Sequence, residues 1–484
     1  MTHPNILWIT TDRQRFDTLG CTGNPWVRTP HLDALAEGGA CFEQAYCQSP
    51  ICSPSRASFL TGRYPRTTRV NRNGQTIPAD ERLVSRLFAD AGYLCGHVGK
   101  LHIAPGAPTV CHWSEQRIDD GYVFYQWSHH HDNREMSPYA LWLDEQGQSY
   151  HAEPVYGSPY VQVGLPSELT NAAWIANQAI GFVRGSTKVG KPWFCTMGFE
   201  DPHNPFDPPR EYLERYLPDL DRLPLPRYTP GELNGKPIYQ RIDREGVWGG
   251  GDGFFAASKM TDHDFRLVRA AYWAQIDHID AMVGRIIHAL RDIGQYDNTL
   301  IIFHSDHGEM LGDHGINFQG PYFYPEMLRV PLLMHWPAGL PGRQRYTGLV
   351  ELVDVAPTLL EAAGLPAYPG MQGRSLWPLL TGDAPAVPHR QDVYAEYYQA
   401  IPSQGCYAEC GGAYATAVRT AEYAMSVCHN LDTGELYDLR ADPHEVINRW
   451  DDPAYTDAKI MMLKRLCDRM AATIDPLPPV LAGY

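Results

Sequence analysis

The chain has no apolar run approaching the length of a membrane span. It also lacks an excess of positive charge: 40 Lys and Arg stand against 56 Asp and Glu, a formal net charge of −16. That balance argues against a nucleic-acid partner, because backbone phosphates are bound through a basic field. It leaves no global attraction for small anions either, so an anionic ligand must be held by a local basic cluster inside an acidic shell. Met1 to Thr10 show no basic segment followed by an apolar one, so no secretory leader is expected and a cytoplasmic location is. The eleven cysteines are odd in number and form no ladder. Most are expected to be reduced, buried small hydrophobes. Cys406 and Cys410, spaced CYAEC, could form a metal half-site or a local disulfide, but no second pair of matching spacing accompanies them, and the bland reading is preferred.

What the chain does have is alternation. Asn5 to Thr10 is a short apolar run ending at Asp12 and reads as a buried strand. A helical pattern covers His31 to Glu37 and another Leu83 to Ala91. Leu94 to Val98 reads as a strand leading into Lys100, and Trp193 to Met197 as a strand leading into Asp201-Pro202-His203. The clearest helix runs from Thr261 to Ile293. Phe265, Val268, Tyr272, Ile276, Ile279, Val283, Ile286 and Leu290 keep a period of about 3.6. Thr261 can cap its start, and Gly294 sits at its stop. Thr299 to His304 is a strongly apolar strand ending at Ser305-Asp306-His307. Val330 to Met334 is a further candidate strand, and Asp354 to Ala363 a helix with an N-cap before Gly364. This order implies an α/β fold with a doubly wound, mainly parallel sheet and helices on both faces.

The Pro/Gly-rich stretch Trp377 to Pro388 reads as a linker. Beyond it, Val393 to Tyr398, Tyr414 to Val418, Tyr423 to Val427 and Glu435 to Leu439 read as short strands, and Lys459 to Ile474 as a closing helix. The expected division is a catalytic domain over 1–380 and a small C-terminal α+β subdomain with antiparallel strands over 381–484. The loop-rich segment between Pro202 and Asp262, with Gly249-Gly250-Gly251, is of the kind that often carries function. The remaining histidines, His129-His130-His131 among them, carry no pattern and default to the surface, though that run could edge a substrate cleft.

In an open doubly wound sheet, reactive residues belong just past the strand ends. Asp12, Lys100, His203 and Asp306 all fall there. Two such ends deliver carboxylates, and His307 adds an imidazole. Hard oxygen donors of this kind suit calcium, magnesium or manganese. Cys52-Ser53-Pro54-Ser55-Arg56 supplies the remaining chemistry. Pro54 suits the first turn of a helix, whose N-terminus favours an anion.

Cys52 to Arg56 match the C-x-P-x-R core of type I sulfatases, and the wider stretch Ser49 to Arg63 (SPICSPSRASFLTGR) resembles that family throughout. Phe303 to Gly315 (FHSDHGEMLGDHG) resembles the family's second metal motif. Gly99-Lys100-Leu101-His102 is similar to its G-K-x-H element, and Asp201 to Phe206 to its P-H-x-P-F element. Gly373-Arg374-Ser375-Leu376 and Glu435 to Leu439 with Asp442-Pro443 extend the likeness over most of the chain. The resemblance implies an alkaline-phosphatase-like fold and hydrolysis of an aryl or carbohydrate sulfate monoester. It implies that a maturase oxidises Cys52 to formylglycine, whose hydrate carries one hydroxyl that attacks and another that later expels sulfate. Asp12, Asp306, His307 and the modified Cys52 would hold one divalent metal, calcium first, with manganese or magnesium as alternatives. Arg56 would pair with the diol, Lys100 would bind sulfate oxygens, and His102 would act as base in the elimination. His203 would be the leaving-group acid or a sulfate clamp.

Two positions depart from the pattern. Arg13 stands where relatives carry a ligand, and a guanidinium cannot ligate a cation. Gln319 stands where relatives commonly carry Lys. The two changes are read as compensating, with Gln319 approaching the metal and Arg13 gripping substrate oxygens. Alternatively, Gln14 takes the ligand role and Arg13 turns away. Two rival functions are kept: a phosphonate monoester or phosphodiester hydrolase of the same superfamily, and a non-catalytic anion- or glycan-binding protein. A homo-oligomer is possible.

Overall fold

The structure is a computed structural model that describes residues 3–107, 109–129, 136–155, 157–246, 254–383, 387–399 and 412–478. Gly249-Gly250-Gly251, His130, His131, Cys406 and Cys410 lie outside the described residues. The chain folds around a large mixed sheet. Its main strands are β1 (Asn5–Thr11), β2 (Ala40–Tyr46), β3 (Leu94–Gly99), β4 (Phe124–Trp127), β5 (Trp193–Gly198), β6 (Thr299–Ser305), β7 (Leu332–His335) and β8 (Gln344–Glu351). Their spatial order is β8-β2-β7-β6-β1-β5-β3-β4. All of these pairings are parallel except those of β7, which runs antiparallel to both β2 and β6.

Alternate residues of the central strands feed two separate cores. Ile6, Trp8, Phe194, Leu300 and Ile302 pack on one face with Phe59 and Leu60 of the Cys52–Thr61 helix, Phe88, and Leu359 and Leu360. Leu7, Ile9, Cys195, Met197, Ile301 and Phe303 pack on the other with Leu32 and Leu35, the Asn171–Ser186 helix, and Ile279, Val283 and Ile286 of the long Asp262–Asp292 helix. Strands buried on both faces read as continuous apolar runs, which is why β1 and β6 were recognisable. The doubly wound expectation therefore holds, with the antiparallel β7 added. The long helix begins in a capping box between Thr261 and Asp264.

Beyond the large sheet, Val393–Tyr398, Tyr414–Arg419, Tyr423–His429 and Thr433–Asp438 form a four-stranded antiparallel sheet, against which the Thr456–Ala472 helix packs. No helix among the described residues is long and apolar enough to cross a membrane.

Three local expectations are corrected. The Val330–Met334 run is broken at Pro331: Arg329–Val330 pairs with β2 before β7 begins at Leu332. Asp354 does not cap the Val355–Ala362 helix through its side chain. Its carboxylate instead takes the Arg390 guanidinium and the Arg374 N–H. The surface default fails for His97, His129, His278 and His335, all of which are buried. Each ring finds local company; His97, for example, lies 2.8 Å from Thr196 Oγ1 and 3.0 Å from Gly99 O.

Candidate active site

Four adjacent parallel strands, β6, β1, β5 and β3, end on the same side of the sheet, and Asp306, Asp12, Asp201-Pro202-His203 and Lys100 follow them. Close backbone approach makes this possible. Gly99 has φ +89°, and a Cβ there would come within 2.2 Å of Gly198 O. The long helix anchors two of the loops: Gln275 Nε2 donates to Asp201 Oδ1 and Pro205 O, while Tyr272 O–H donates to Arg13 O and accepts from Arg15 N–H.

The Cys52–Thr61 helix points its first residue into this group of loops, and all ten of its residues are buried. Ser55 Oγ donates to Asp306 O at 2.6 Å, tying the helix start to the end of β6. Cys52 Sγ lies 3.1 Å from His307 Nε2, 3.7 Å from Asp12 Oδ1 and 3.4 Å from Gln319 Oε1. One candidate ligand atom from each of Asp12, Cys52, Asp306 and His307 falls within 4.8 Å of the others. His307 Nδ1 sits 2.8 Å from Gly308 O, which makes it the protonated nitrogen and leaves the Nε2 lone pair facing the cluster. Burial lowers the His307 pKa and favours this neutral form.

The donor set suits a divalent cation: two carboxylates, a neutral imidazole and the position that an oxygen would occupy on an oxidised Cys52. A further buried acceptor, Gln14 Oε1, has no hydrogen-bond partner among the described residues. The Gln14 amide N–H2 donates to Thr18 Oγ1. The thiol itself is a poor nucleophile here. Burial, and then the charges of Asp12 and Asp306, push its pKa far above the ordinary value, so it stays protonated.

The carboxylates are held by cations. Lys100 Nζ lies 2.6 Å from Asp12 Oδ2, and Arg56 Nη2 lies 3.3 Å from the same oxygen. Arg56 Nε donates to Asp306 Oδ2 at 2.8 Å and its Nη1 to Lys100 O at 2.9 Å. Burial works to raise the Asp12 pKa, but Lys100, His203, Arg56 and His307 hold it well below the usual carboxylate range. Arg56 is thus committed to both carboxylates and the Lys100 backbone.

Arg13 adopts a left-handed backbone at φ +64°. Its Nη1 donates to Asn204 Oδ1 at 2.8 Å and to Glu309 Oε2 at 3.1 Å, while Nε stands 4.0 Å from Asp12 Oδ1. The pair with Glu309 was not anticipated; 296 residues separate the partners, and neither lies in a pattern that betrays the other. Three carboxylates (Asp12, Asp306, Glu309) therefore face three cations (Arg13, Arg56, Lys100). A bound dication would give the site the positive balance that an anionic ester requires.

On the far side, His102 has φ +57°, and its ring lies 4.3 Å, centroid to centroid, from that of His129. Glu115, which the sequence did not single out, organises this loop. Its carboxylate accepts the backbone N–H groups of His102, Ile103 and Ala104 at 3.0, 3.0 and 3.1 Å, and Trp127 Nε1–H at 3.1 Å. Burial lifts its pKa to about 7 against these hydrogen bonds. His203 is buried, with Nδ1 against Asn204 O. Its neighbour Asn204 reaches Arg13, so the His203 loop closes on the same cluster.

A doubly wound sheet with carboxylates, an imidazole and three cations gathered past its central strand ends defines a hydrolase of anionic esters. The model of the Sulfatase family matches residues 4–365, and the chain belongs to that family. A second model, N-sulphoglucosamine sulphohydrolase, C-terminal, matches residues 312–472. The chain is 29% identical to an arylsulfatase of Clostridium perfringens, over 94% of this chain and 92% of the relative. It is also 29% identical to a choline-sulfatase of Rhizobium meliloti, over 93% and 83% of the two chains. The crystal structure of a phosphonate monoester hydrolase of Agrobacterium radiobacter superposes with a TM-score of 0.86 at 27% identity, covering 98% of this chain and 97% of that one. The fold is alkaline-phosphatase-like, and the protein is a sulfuric ester hydrolase.

Proposed function

We propose that the chain hydrolyses a sulfate monoester of an aryl or carbohydrate alcohol at Cys52, after a maturase has oxidised that residue to formylglycine. The observation that carries this reading is the position of Cys52 at the first turn of a buried helix, with Sγ 3.1 Å from His307 Nε2 and beside Asp12. Asp12, Asp306, His307 and the modified Cys52 would hold one divalent metal. Calcium is proposed for its preference for oxygen donors, with manganese or magnesium as alternatives. When bound, such a metal supplies Lewis acidity toward the nucleophile and the ester oxygens.

The chain's own residues do the rest. The matured Cys52 side chain provides the attacking hydroxyl, and the helix N-terminus favours the anion brought to it. Lys100 binds sulfate oxygens, and Arg56 keeps the two carboxylates and the nucleophile in register. His203 donates a proton to the leaving oxygen, and His102 accepts one when the aldehyde is regenerated. Arg13, held by Glu309, faces the ester's remaining oxygens, and Gln319 lies beside the nucleophile and substrate. The residues up to about 380 form the catalytic domain in this reading, and 381–484 the subdomain packed on it.

The structural likeness to a phosphonate monoester hydrolase, together with Gln319 in place of a lysine, favours as the rival reading a phosphonate monoester or phosphodiester hydrolase of the same superfamily. Rates on an aryl sulfate and a phenyl phosphonate monoester, measured on one matured preparation, separate the two. The mass of the Cys52 peptide tests the modification. Full activity in Cys52→Ala would remove the nucleophile assignment.

A further inference from the structure

Cys21 and Cys41 are both free thiols, and the fold brings them together away from the cluster around Cys52. Cys41 is the second residue of β2 and is buried. Cys21 is half-buried, in the single turn Gly20–Thr22 on the loop that leaves β1 through Asp12. It packs against the apolar cluster to which Cys41 belongs, and its thiol is in hydrogen-bond contact with Cys41.

Backbone hydrogen bonds fix Cys21 from both sides. Its N–H donates to Asp33 Oδ1 at 2.7 Å, and its C=O accepts both terminal nitrogens of Arg345 at 3.2 Å. The adjacent Gly20 N–H donates to Thr29 Oγ1 at 2.9 Å. Arg345 is the register partner of Cys41 on the neighbouring strand β8, so the two side chains leave the sheet on one face. Arg345 Nε donates to Glu43 Oε1 at 2.8 Å, and Glu43, two residues on from Cys41, shares that face. One guanidinium group thus anchors the Cys21 turn beside Cys41, and its charge acts on both sulfurs. The hydrogen bond from Cys21, helped by Arg345, lowers the Cys41 pKa against the effect of burial; the same bond raises that of Cys21. Packing alone would make both residues inert core thiols. A shared proton, a neighbouring cation and one half-buried sulfur are instead the conditions for thiol–disulfide exchange.

We propose that Cys21 and Cys41 are a modification site, a dithiol that closes into a disulfide by exchange with a small disulfide, oxidised glutathione. Cys21, the more accessible sulfur, attacks one glutathione sulfur as its proton passes to Cys41. The first glutathione leaves as a thiolate and takes up the proton that Cys41 had released to water. Cys41 then attacks Cys21 Sγ, its proton goes to the second departing glutathione, and the Cys21–Cys41 bond forms. Two protein thiols are oxidised, and one glutathione disulfide is reduced to two thiols. The bond ties the loop that begins with Asp12, Arg13 and Gln14 to β2. A cross-link also removes freedom from the unfolded chain, so the oxidised protein is the more stable form.

The test uses the full chain as wild type, Cys21→Ser and Cys41→Ala, treated at neutral pH with an excess of oxidised glutathione. Circular dichroism checks that each is folded. Exposed Cys467 should take up glutathione in all three proteins and serves as the internal control. Peptide mass should show Cys21 linked to Cys41 in the wild type, and excess dithiothreitol should open the link. Cys41→Ala lacks the resolving thiol and should retain glutathione on Cys21. Cys21→Ser should leave the buried Cys41 unmodified. Oxidised wild type should melt about 3 °C above the reduced form, a difference absent from Cys21→Ser. Wild-type Cys21 and Cys41 peptides that stay unlinked while Cys467 carries glutathione would overturn the proposal, whether or not either variant folds.

Discussion

Lys100 Nζ and Asp12 Oδ2 lie 2.6 Å apart at the ends of β3 and β1, both fully enclosed, and Arg56 reaches the same oxygen. One oxygen of Asp12 is therefore committed to cations, while Oδ1 faces Cys52. Lys100→Met keeps the volume but leaves Asp12 with Arg56 as its remaining strong partner. Breaking a buried pair costs about 3 kcal/mol, and losing a cation aimed at the ester oxygens costs about 10²–10³ in kcat. Denaturant melts and steady-state rates on an aryl sulfate check both. A variant as stable and as active as wild type would show that the pair is incidental.

The same pairing governs metal removal. Asp12 and Asp306 remain neutralised by Lys100 and Arg56 when no metal is present. A chelator should abolish turnover while leaving circular dichroism and cooperative unfolding intact. Calcium should restore more activity than magnesium or manganese. Undiminished turnover after exhaustive chelation would remove the metal from the reaction.

Unmatured protein tests the nucleophile from another side. The Cys52 thiol is fully buried and held protonated, whereas Cys467 is exposed. Iodoacetamide at neutral pH should label Cys467 readily and Cys52 only upon unfolding, as read by peptide mass. Rapid labelling of Cys52 in the folded protein would contradict the burial that makes the unmodified thiol inert.

The strand ends were legible because β1, β3, β5 and β6 are buried on both faces, and a continuous apolar run stopping at a polar residue marks where the chain leaves the sheet. The long helix was legible through its period and through Thr261. What escaped lacks a local signature. β8 reads Gln-Arg-Tyr-Thr-Gly-Leu-Val-Glu because an edge strand keeps much of its surface in water. Arg13 could be seen as a misfit but not as the partner of Glu309, and Asp354 looked like a cap because its ion partner Arg390 belongs to a later segment. Charge pairs closed by the fold leave no periodic trace in the chain.

Glu115 is the clearest of these omissions, and it is open to test. Replacing it by Ala strands the His102, Ile103 and Ala104 N–H groups and Trp127 Nε1–H in a buried place. An unsatisfied buried donor costs about 1–3 kcal/mol. Stability should fall by at least that amount, and kcat should drop more than KM rises, because the loop that follows Lys100 loses its anchor. Wild-type kcat in a folded Glu115→Ala protein would show that the loop needs no such anchor.

His278, on the long helix, gives a pH dependence whose sign can be worked out. Burial lowers its pKa from an ordinary value near 6.5 to about 4. Its Nε2 lies 3.0 Å from Ser167 Oγ, and its ring stands edge-on to Tyr212. Between those two values the unfolded chain binds a proton that the folded chain refuses, so acid favours unfolding. The neutral ring's contribution is complete above pH 6.5 and is lost progressively as pH falls to about 4, a change of about 3 kcal/mol at most. His278→Gln removes the titration while keeping a polar side chain beside Ser167. Unfolding free energies at pH 7.5, 6.5 and 5.5 should therefore fall more steeply with acid in the wild type than in the variant. The gap in stability between the two proteins should narrow below pH 6.5. A gap that stays constant across this range would mean that the ring takes up its proton at the same pH in the folded and unfolded chains.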